Sequence, residues 1–344
     1  MPKIAFFDVF PDEQPILEAG IRNAFPNTPW EVHFHPKSLT KDLIPQFSDV
    51  HVLSLNTNLP QNEAMLGTFS NLQFIATRST GYNHFDLSYL QTRNIPLANV
   101  PSYSEQSVAE CVFMLLLALT KKLTLALANT QKGVLQKNAG FMGTELKGKT
   151  FGVWGTGATG IATLEIAKGF GMKLIANSRT IKPELVENLG VTYVSFDELL
   201  EQSDFLSLHA PLNAQTQGFF GEATLLKMKP AAFLINTARG GVVHMPSLLK
   251  VLETGHLSGV GLDVLPHEHL LMRRAQLMET ALNPEVHQAD CNALLVEQLL
   301  MLHPKVMTLP HMAYFTKEAL ERMAQITVDN VVAWHSGHPV NIVT

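Results

Sequence analysis

Residues 146–160 read LKGKTFGVWGTGATG, and this stretch decides the fold. A short apolar run, Phe151, Val153 and Trp154, leads into Gly155-x-Gly157-x-x-Gly160, and a helix-compatible pattern follows. Strand, glycine turn and helix in that order form the dinucleotide-binding fingerprint. Gly155 permits the tight turn. Gly157 lets the backbone approach a pyrophosphate, and Gly160 lets helix and strand pack closely. Ala158 and Thr159 open the helix, whose unpaired N–H groups suit an anion.

Outward from the fingerprint, short apolar runs alternate with helix-like segments along the whole chain. KIAFFDV (3–9), WEVHFH (30–35), DVHVLSL (49–55), LQFIATRS (72–79) and IPLANV (95–100) come before it. KTFGVW (149–154), MKLIA (172–176), DFLSL (204–208), AAFLIN (231–236) and LSGVGLDV (257–264) continue the theme. Runs of this length between turn and helix signals read as strands of parallel sheets. The expectation is an α/β chain with two doubly wound parallel-sheet domains and a cleft between them, one flavodoxin-like and one a Rossmann cofactor domain. The cofactor domain is placed at 101–308, and the other at 1–100 completed by 309–344. Ser104 to Leu127 reads as one apolar helix capped by Ser102 or Ser104, and Thr316 to Ser336 as a long amphipathic one.

Composition narrows the class. The chain has 344 residues, 46% hydrophobic and 16% charged, with a net charge of -5. No basic footprint points to nucleic acid or an anionic membrane. The two cysteines, Cys111 and Cys291, lie far apart and suit a reducing compartment. The opening MPKIAFFDVFPDEQP has no long apolar run, and a cytoplasmic location is expected. The apolar stretch Cys111 to Leu119 is too short to span a bilayer. His33/His35 and His267/His269 alternate, but no further ligands converge on them in sequence, and no metal site is expected.

A set of ordered blocks resembles the D-isomer-specific 2-hydroxyacid dehydrogenase family over nearly the whole length. The blocks are RSTGYNHFDL (78–87), NVPSYSEQSVAE (99–110), the fingerprint, HAPLNAQT (209–216), NTARGGVV (236–243), GVGLDV (259–264) and LPHMAYFTKEAL (309–320). The flanking motifs look most like D-lactate dehydrogenases. The resemblance implies a catalytic trio of Arg239, Glu268 and His311. Reduction of a 2-keto acid needs a hydride at the carbonyl carbon and a proton at its oxygen. A histidine gives that proton near neutral pH. An adjacent carboxylate favours its imidazolium. An arginine holds the substrate carboxylate and polarises the carbonyl. Thr80 and Gly81 match a loop whose N–H groups bind the substrate carboxylate, and Tyr103 matches a tyrosine near the substrate or else packs in the core. Asp263 matches a residue near the nicotinamide amide or else caps a strand end. Ala210, Pro211, Thr216 and Thr237 match cofactor-lining positions. A homodimer is implied, with Ser104–Leu127 as interface helix unless its apolar face packs only within its own subunit.

Two departures stand out. Strand MKLIA is followed by Asn177-Ser178-Arg179-Thr180, without the carboxylate that usually binds the ribose diol of NAD. Ser178 and Arg179, with Lys182 near by, suit a 2'-phosphate, so NADP is expected over NAD. If Arg179 instead stacks on adenine or points to solvent, dual or NAD use follows. Between Glu268 and His311 the chain is longer than the family pattern. HEH (267–269) replaces the usual acidic-proline ending, and Leu270–Leu282 and Ala293–Leu302 look helical around Asn283-Pro284. This insertion shapes the substrate site, builds a subunit contact or is a surface elaboration. Thr159 replaces the fingerprint's usual aliphatic residue, with small consequences for packing.

The expected function is interconversion of a short 2-keto acid and its D-2-hydroxy acid, with pyruvate/D-lactate favoured. Glyoxylate or hydroxypyruvate reduction is the alternative, because NSRT resembles the NADP-linked reductases of that kind. A nucleotide-sensing protein like the family's corepressor relatives is the alternative of another class, since fold does not fix function.

Overall fold

The computed structural model describes residues 1–56, 59–136, 139–268 and 288–343. The chain divides into two compact units, Met1–Tyr103 with Phe315–Thr344 and Ser104–Tyr314. These borders lie a few residues beyond those read from sequence. The reason is local. Met312 and Ala313 donate backbone N–H bonds to Asp263, which keeps 309–314 with the second unit. Arg322 Nε donates to the Tyr103 carbonyl at 2.7 Å, which keeps Tyr103 with the first.

In the first unit, strands β1 (Lys3–Phe6), β2 (Glu31–Phe34), β3 (Val52–Leu55), β4 (Phe74–Thr77) and β5 (Leu97–Ala98) form a sheet in the order β2-β1-β3-β4-β5. All its pairings are parallel, a flavodoxin-like order. In the second unit, β6 (Thr150–Trp154), β7 (Lys173–Asn177), β8 (Thr192–Tyr193), β9 (Phe205–Leu208), β10 (Phe233–Asn236), β11 (Gly259–Leu262) and β12 (Val306–Thr308) follow the order β12-β11-β10-β9-β6-β7-β8. The direction of progression reverses between β6 and β9, which is where such sheets bind ligands. Strands β3, β9 and β10 are buried at every position. Helices on both faces of a parallel sheet demand such continuous apolar runs.

The strand expectations hold to within a few residues. Two strands have no counterpart in the sequence reading. β8 has two residues, and β12 is a three-residue edge strand of intermediate burial, so neither offers a periodic signal. The expected helix over Ser104–Leu127 is two helices, Glu105–Thr120 and Leu123–Gln131, bent by 63°. Lys122, at φ 56°, makes the break in a left-handed conformation that no helix continues through. Ser104 stands at the N-cap position but makes no side-chain cap bond. Thr316 does cap the long C-terminal helix Lys317–His335, accepting from the Ala319 N–H. Among the described residues no single helix is long and apolar enough to cross a membrane. Helix Ala293–Leu302 is found as part of Gln288–Leu302, whereas Leu270–Leu282 lies outside the described residues.

One buried ion pair organises the first unit. The Arg78 side chain is 0% exposed. Its Nε donates to Glu13 Oε1 at 2.6 Å, Nη1 to Ser54 Oγ at 3.1 Å, and Nη2 to the Phe7 and Asp8 carbonyls at 2.5 and 3.0 Å. This joins the ends of β1, β3 and β4 just ahead of Ser79-Thr80-Gly81. Removing one partner strands the other's charge. Arg78→Met is therefore expected to cost about 3–5 kcal/mol, read as a lowered urea midpoint, and adding Glu13→Gln should recover part of the loss. A midpoint unchanged by Arg78→Met would show that the pair contributes nothing.

Candidate active site

The parallel register lines up the carboxyl ends of the second sheet. Trp154 pairs with Asn177 and Leu208, and Asn236 pairs with Leu208 and Leu262. The next residues, Gly155, Ser178, His209, Thr237 and Asp263, therefore share one edge. Gly155 turns the chain at φ 103°, and a Cβ there would lie 3.0 Å from the His209 carbonyl. At Gly160 a Cβ would lie 2.1 Å from the Gly155 carbonyl oxygen, so the helix Ala158–Gly169 crosses the turn only because that position is glycine. Gly157 has open space where its Cβ would stand, at the N-cap of the same helix. Thr159 is half-buried, and its carbonyl accepts from Thr163 Oγ1.

This edge fits a dinucleotide. The Gly157 backbone is bare toward the space a pyrophosphate needs, and the Thr237 hydroxyl is buried without a hydrogen-bond partner among the described residues. A buried orphan of that kind calls for a ligand or water. Ala210 and Pro211 follow β9, and the Ala210 nitrogen lies 3.2 Å from where a Cβ on Gly155 would stand. Thr216 is bound into its own loop, with Oγ1 donating to the Pro211 carbonyl at 2.6 Å. Ser178 Oγ accepts from the Thr156 N–H at 3.4 Å and so faces the glycine turn. Arg179 is exposed and forms no salt bridge with a described residue. Burial pushes the His209 imidazole down to about 4, so it stays neutral beside the turn, with Nε2 2.9 Å from Ser207 Oγ.

Farther along the same unit, three of the singled-out residues come together. His311 Nδ1 lies 2.7 Å from Glu268 Oε2. The other oxygen of Glu268 accepts from the Leu265 N–H at 2.7 Å. Asp263, 1% exposed, accepts from the N–H groups of Met312 and Ala313 at 2.8 and 3.0 Å. Those bonds hold His311 at φ 52°, a left-handed conformation that costs energy outside glycine and persists only when the surroundings enforce it. Burial alone would lower the His311 pKa. The Glu268 hydrogen bond and charge outweigh it, Asp263 adds to them, and Arg239 opposes, so the net shift is upward. Asp263 itself is pushed up by burial and held back by the two N–H bonds it accepts.

Arg239 opens the 3₁₀ turn Gly240–Val242 after β10, and its Nη1 donates to the Ala238 carbonyl at 2.7 Å. Its positive charge works against the upward shift at His311. In the first unit, Thr80 Oγ1 donates to the Val100 carbonyl and the Thr80 carbonyl accepts from Asn99 Nδ2. Ser79 Oγ donates to the Gly81 carbonyl at 2.6 Å, so the loop is pinned on both sides. Tyr103 is 7% exposed, a core position of that unit.

Sequence reasoning passed over two features. Gly240 is one: a Cβ there would meet the Leu265 carbonyl carbon at 2.2 Å and the Pro266 nitrogen at 2.4 Å. The double glycine of TARGG was the available signal for this close approach. The other is His267, whose Nδ1 lies 2.7 Å from Glu297 Oε1. The described residues hold no cluster of three or more potential metal ligands.

Residues 113–313 match the model of the D-isomer specific 2-hydroxyacid dehydrogenase NAD binding domain. The chain is 37% identical over 289 residues to a glyoxylate reductase of Thermococcus litoralis, covering 82% of this chain and 80% of that one. It is 36% identical over 270 residues to a D-lactate dehydrogenase of Curvularia clavata, covering 78% and 74%. The crystal structure of a D-lactate dehydrogenase from Aquifex aeolicus, complexed with NAD and lactic acid, superposes with a TM-score of 0.82 at 30% identity, over 97% of this chain and 96% of that one. With the fingerprint edge and the matched domain in place, the chain belongs to the D-isomer specific 2-hydroxyacid dehydrogenases, oxidoreductases that use a nicotinamide cofactor on 2-keto and 2-hydroxy acids.

Proposed function

We propose that the chain reduces pyruvate to D-lactate with NADPH preferred, and that His311, Glu268 and Arg239 carry the chemistry. The observation that carries this reading is the 2.7 Å contact of His311 Nδ1 with Glu268. It commits Nδ1 to the carboxylate and leaves Nε2 as the nitrogen that delivers a proton to the carbonyl oxygen. Glu268 orients the ring and favours its charged form. Arg239 holds the substrate carboxylate through its planar fork and polarises the carbonyl. By the family likeness, Thr80 and Gly81 would offer backbone N–H groups to that carboxylate, and Tyr103, largely buried, would stand near the substrate. A nicotinamide would supply the hydride when bound, and Gly155, Gly157, Ala158, Thr159, Gly160, Ala210, Pro211, Thr216, Thr237 and Asp263 would hold it.

Glyoxylate or hydroxypyruvate is the second reading, favoured by the likeness to a protein named glyoxylate reductase. The NADPH preference rests on Ser178 and Arg179 after β7, where Arg179 forms no salt bridge with a described residue and the segment 177–180 carries no carboxylate to repel a 2'-phosphate. A cytoplasmic homodimer completes the proposal. Helix Glu105–Thr120 buries most of its apolar residues inside its own unit, with Met114 46% exposed, whereas Leu123–Gln131 has no buried residue, with Leu123 and Leu127 45% and 51% exposed. An apolar helix left uncovered points to a partner surface.

Four measurements test these statements. A matched panel of NADPH and NADH with pyruvate, glyoxylate and hydroxypyruvate should show fastest turnover with NADPH and pyruvate, and Ser178→Asp should move the preference toward NADH. An unchanged ratio of kcat/KM in that variant rejects the 2'-phosphate reading. His311→Ala should lose about 10²–10⁴-fold in turnover. In the parent, reduction needs the imidazolium, whose pKa is raised above 6.5, so the rate should hold past that pH and fall as pH rises through the raised value. Hydroxy-acid oxidation should rise through the same range, and Glu268→Gln should move the midpoint down. Leu123→Glu with Leu127→Glu should halve the mass seen by light scattering; a parent already monomeric ends the dimer proposal.

A further inference from the structure

The described part of the stretch between Glu268 and His311 includes the helix Gln288–Leu302. Leu294, Glu297 and Leu300 are 6%, 1% and 0% exposed. A spacing of three places them on one side of the helix. Leu300 packs in the core that also holds Leu265. A carboxylate on such a face costs stability unless it is paired. Glu297 Oε1 lies 2.7 Å from His267 Nδ1, while Oε2 is buried with no hydrogen-bond partner among the described residues. Burial pushes the Glu297 carboxyl above the usual carboxylate range, the bond and charge of His267 oppose this, and the negative charge of Glu268 adds to the rise.

His267 precedes Glu268, both of whose oxygens are committed, one to the Leu265 N–H and one to His311. The short segment 265–268 is restrained from two directions. The Leu265–Pro266 peptide lies against Gly240, and the His267 side chain is tied to Glu297. A rotation of this segment would draw Glu268 off His311.

We propose that Glu297 is a positioning residue for the reaction: by holding His267 it fixes the 265–268 segment, and with it the Glu268 carboxylate, against His311. The proposal rests on the reading of Glu268 and His311 as the catalytic pair. It gives the helix Gln288–Leu302 a task in orienting that pair.

The test uses the full chain with Glu297→Leu, Glu297→Gln and His311→Ala, assayed with the cofactor and keto acid that the parent turns over fastest. Leucine matches the apolar face that Leu294 and Leu300 already present, and the partner it leaves behind, His267, is 35% exposed and can turn to water, so Tm should change little. The expected result is a fall in kcat of about tenfold in Glu297→Leu, the scale of a slightly misplaced catalytic group, with the cofactor KM little changed. The falling limb of its reduction profile should also move to lower pH, because Glu268 supports the imidazolium less well. Asp263 and Arg239, which also face His311, and His267 beyond them, are unaltered in that variant. Glu297→Gln keeps an acceptor for His267 and should restore most of kcat. An unchanged kcat and pH profile in Glu297→Leu, alongside a large loss in His311→Ala, overturns the positioning role and leaves the catalytic pair standing. Near-parent turnover in His311→Ala overturns the pair and the proposal together. Should Glu297→Leu fail to fold, His267→Ala, which removes a side chain 35% exposed, carries the same expected fall and the same refuting outcome.

Discussion

The parallel register of β6, β7, β9, β10 and β11 is the constraint on which the second unit depends. Parallel ladders leave no freedom in where strands end relative to one another once one face is buried, because a slip of one residue would turn every side chain over. With Trp154 level with Leu208 and Asn236 level with Leu262, the residues that follow these strands emerge side by side. The glycine turn, Ser178, Thr237 and Asp263 are neighbours for that reason, although the sequence spreads them over more than a hundred positions. The apolar content of the strands thus does two jobs: it builds the core, and it sets the spacing of the polar residues at its edge.

His311 shows how the same scaffold supports a strained residue. Its φ of 52° would relax if the following peptide groups were released. Asp263 prevents this by accepting from both Met312 and Ala313, and Ser107 Oγ donates to the Ala313 carbonyl at 2.6 Å from the helix Glu105–Thr120. The close approach of Gly240 to the Leu265–Pro266 peptide brings the Arg239 turn beside the Glu268 segment. Two backbone contacts, one held by a carboxylate and one permitted by a glycine, thus set the relation between the three residues singled out as catalytic.

Much of this was legible in the sequence, and the gaps have physical causes. Ten strands announced themselves as apolar runs, because strands covered on both faces must be apolar throughout. β8 and β12 are too short and too near the sheet edges to carry a pattern. The helix break at Lys122 went unseen because propensity read an apolar stretch and gave no weight to the two lysines inside it. The trio Arg239, Glu268 and His311 was found through motifs, yet the 2.7 Å bond between two of them joins positions 43 apart. Asp263 was read for its nearness to a cofactor, and its bonds in the structure go to the backbone beyond His311. The His267–Glu297 pair had no motif behind it. It depends on a carboxylate on the inner face of a helix, where sequence periodicity expects an apolar residue.

Charge balance around His311 connects the fold to the chemistry. Asp263 and Glu268 bring two carboxylates to the imidazole, and Arg239 brings one cation. The set is neutral when His311 carries its second proton and bears a net negative charge when that proton has been given up. In the proposed mechanism keto-acid reduction takes this proton, so each turnover would leave a negatively charged cluster in a partly water-excluded place. Low local dielectric makes that imbalance expensive. It is relieved by uptake of a proton, and the His311 side chain, 28% exposed, remains open to the solvent that supplies one. With His311 as the proposed donor, the arrangement would drive its own resetting: the carboxylates that favour its protonated form before transfer are the same groups that draw a proton back after it.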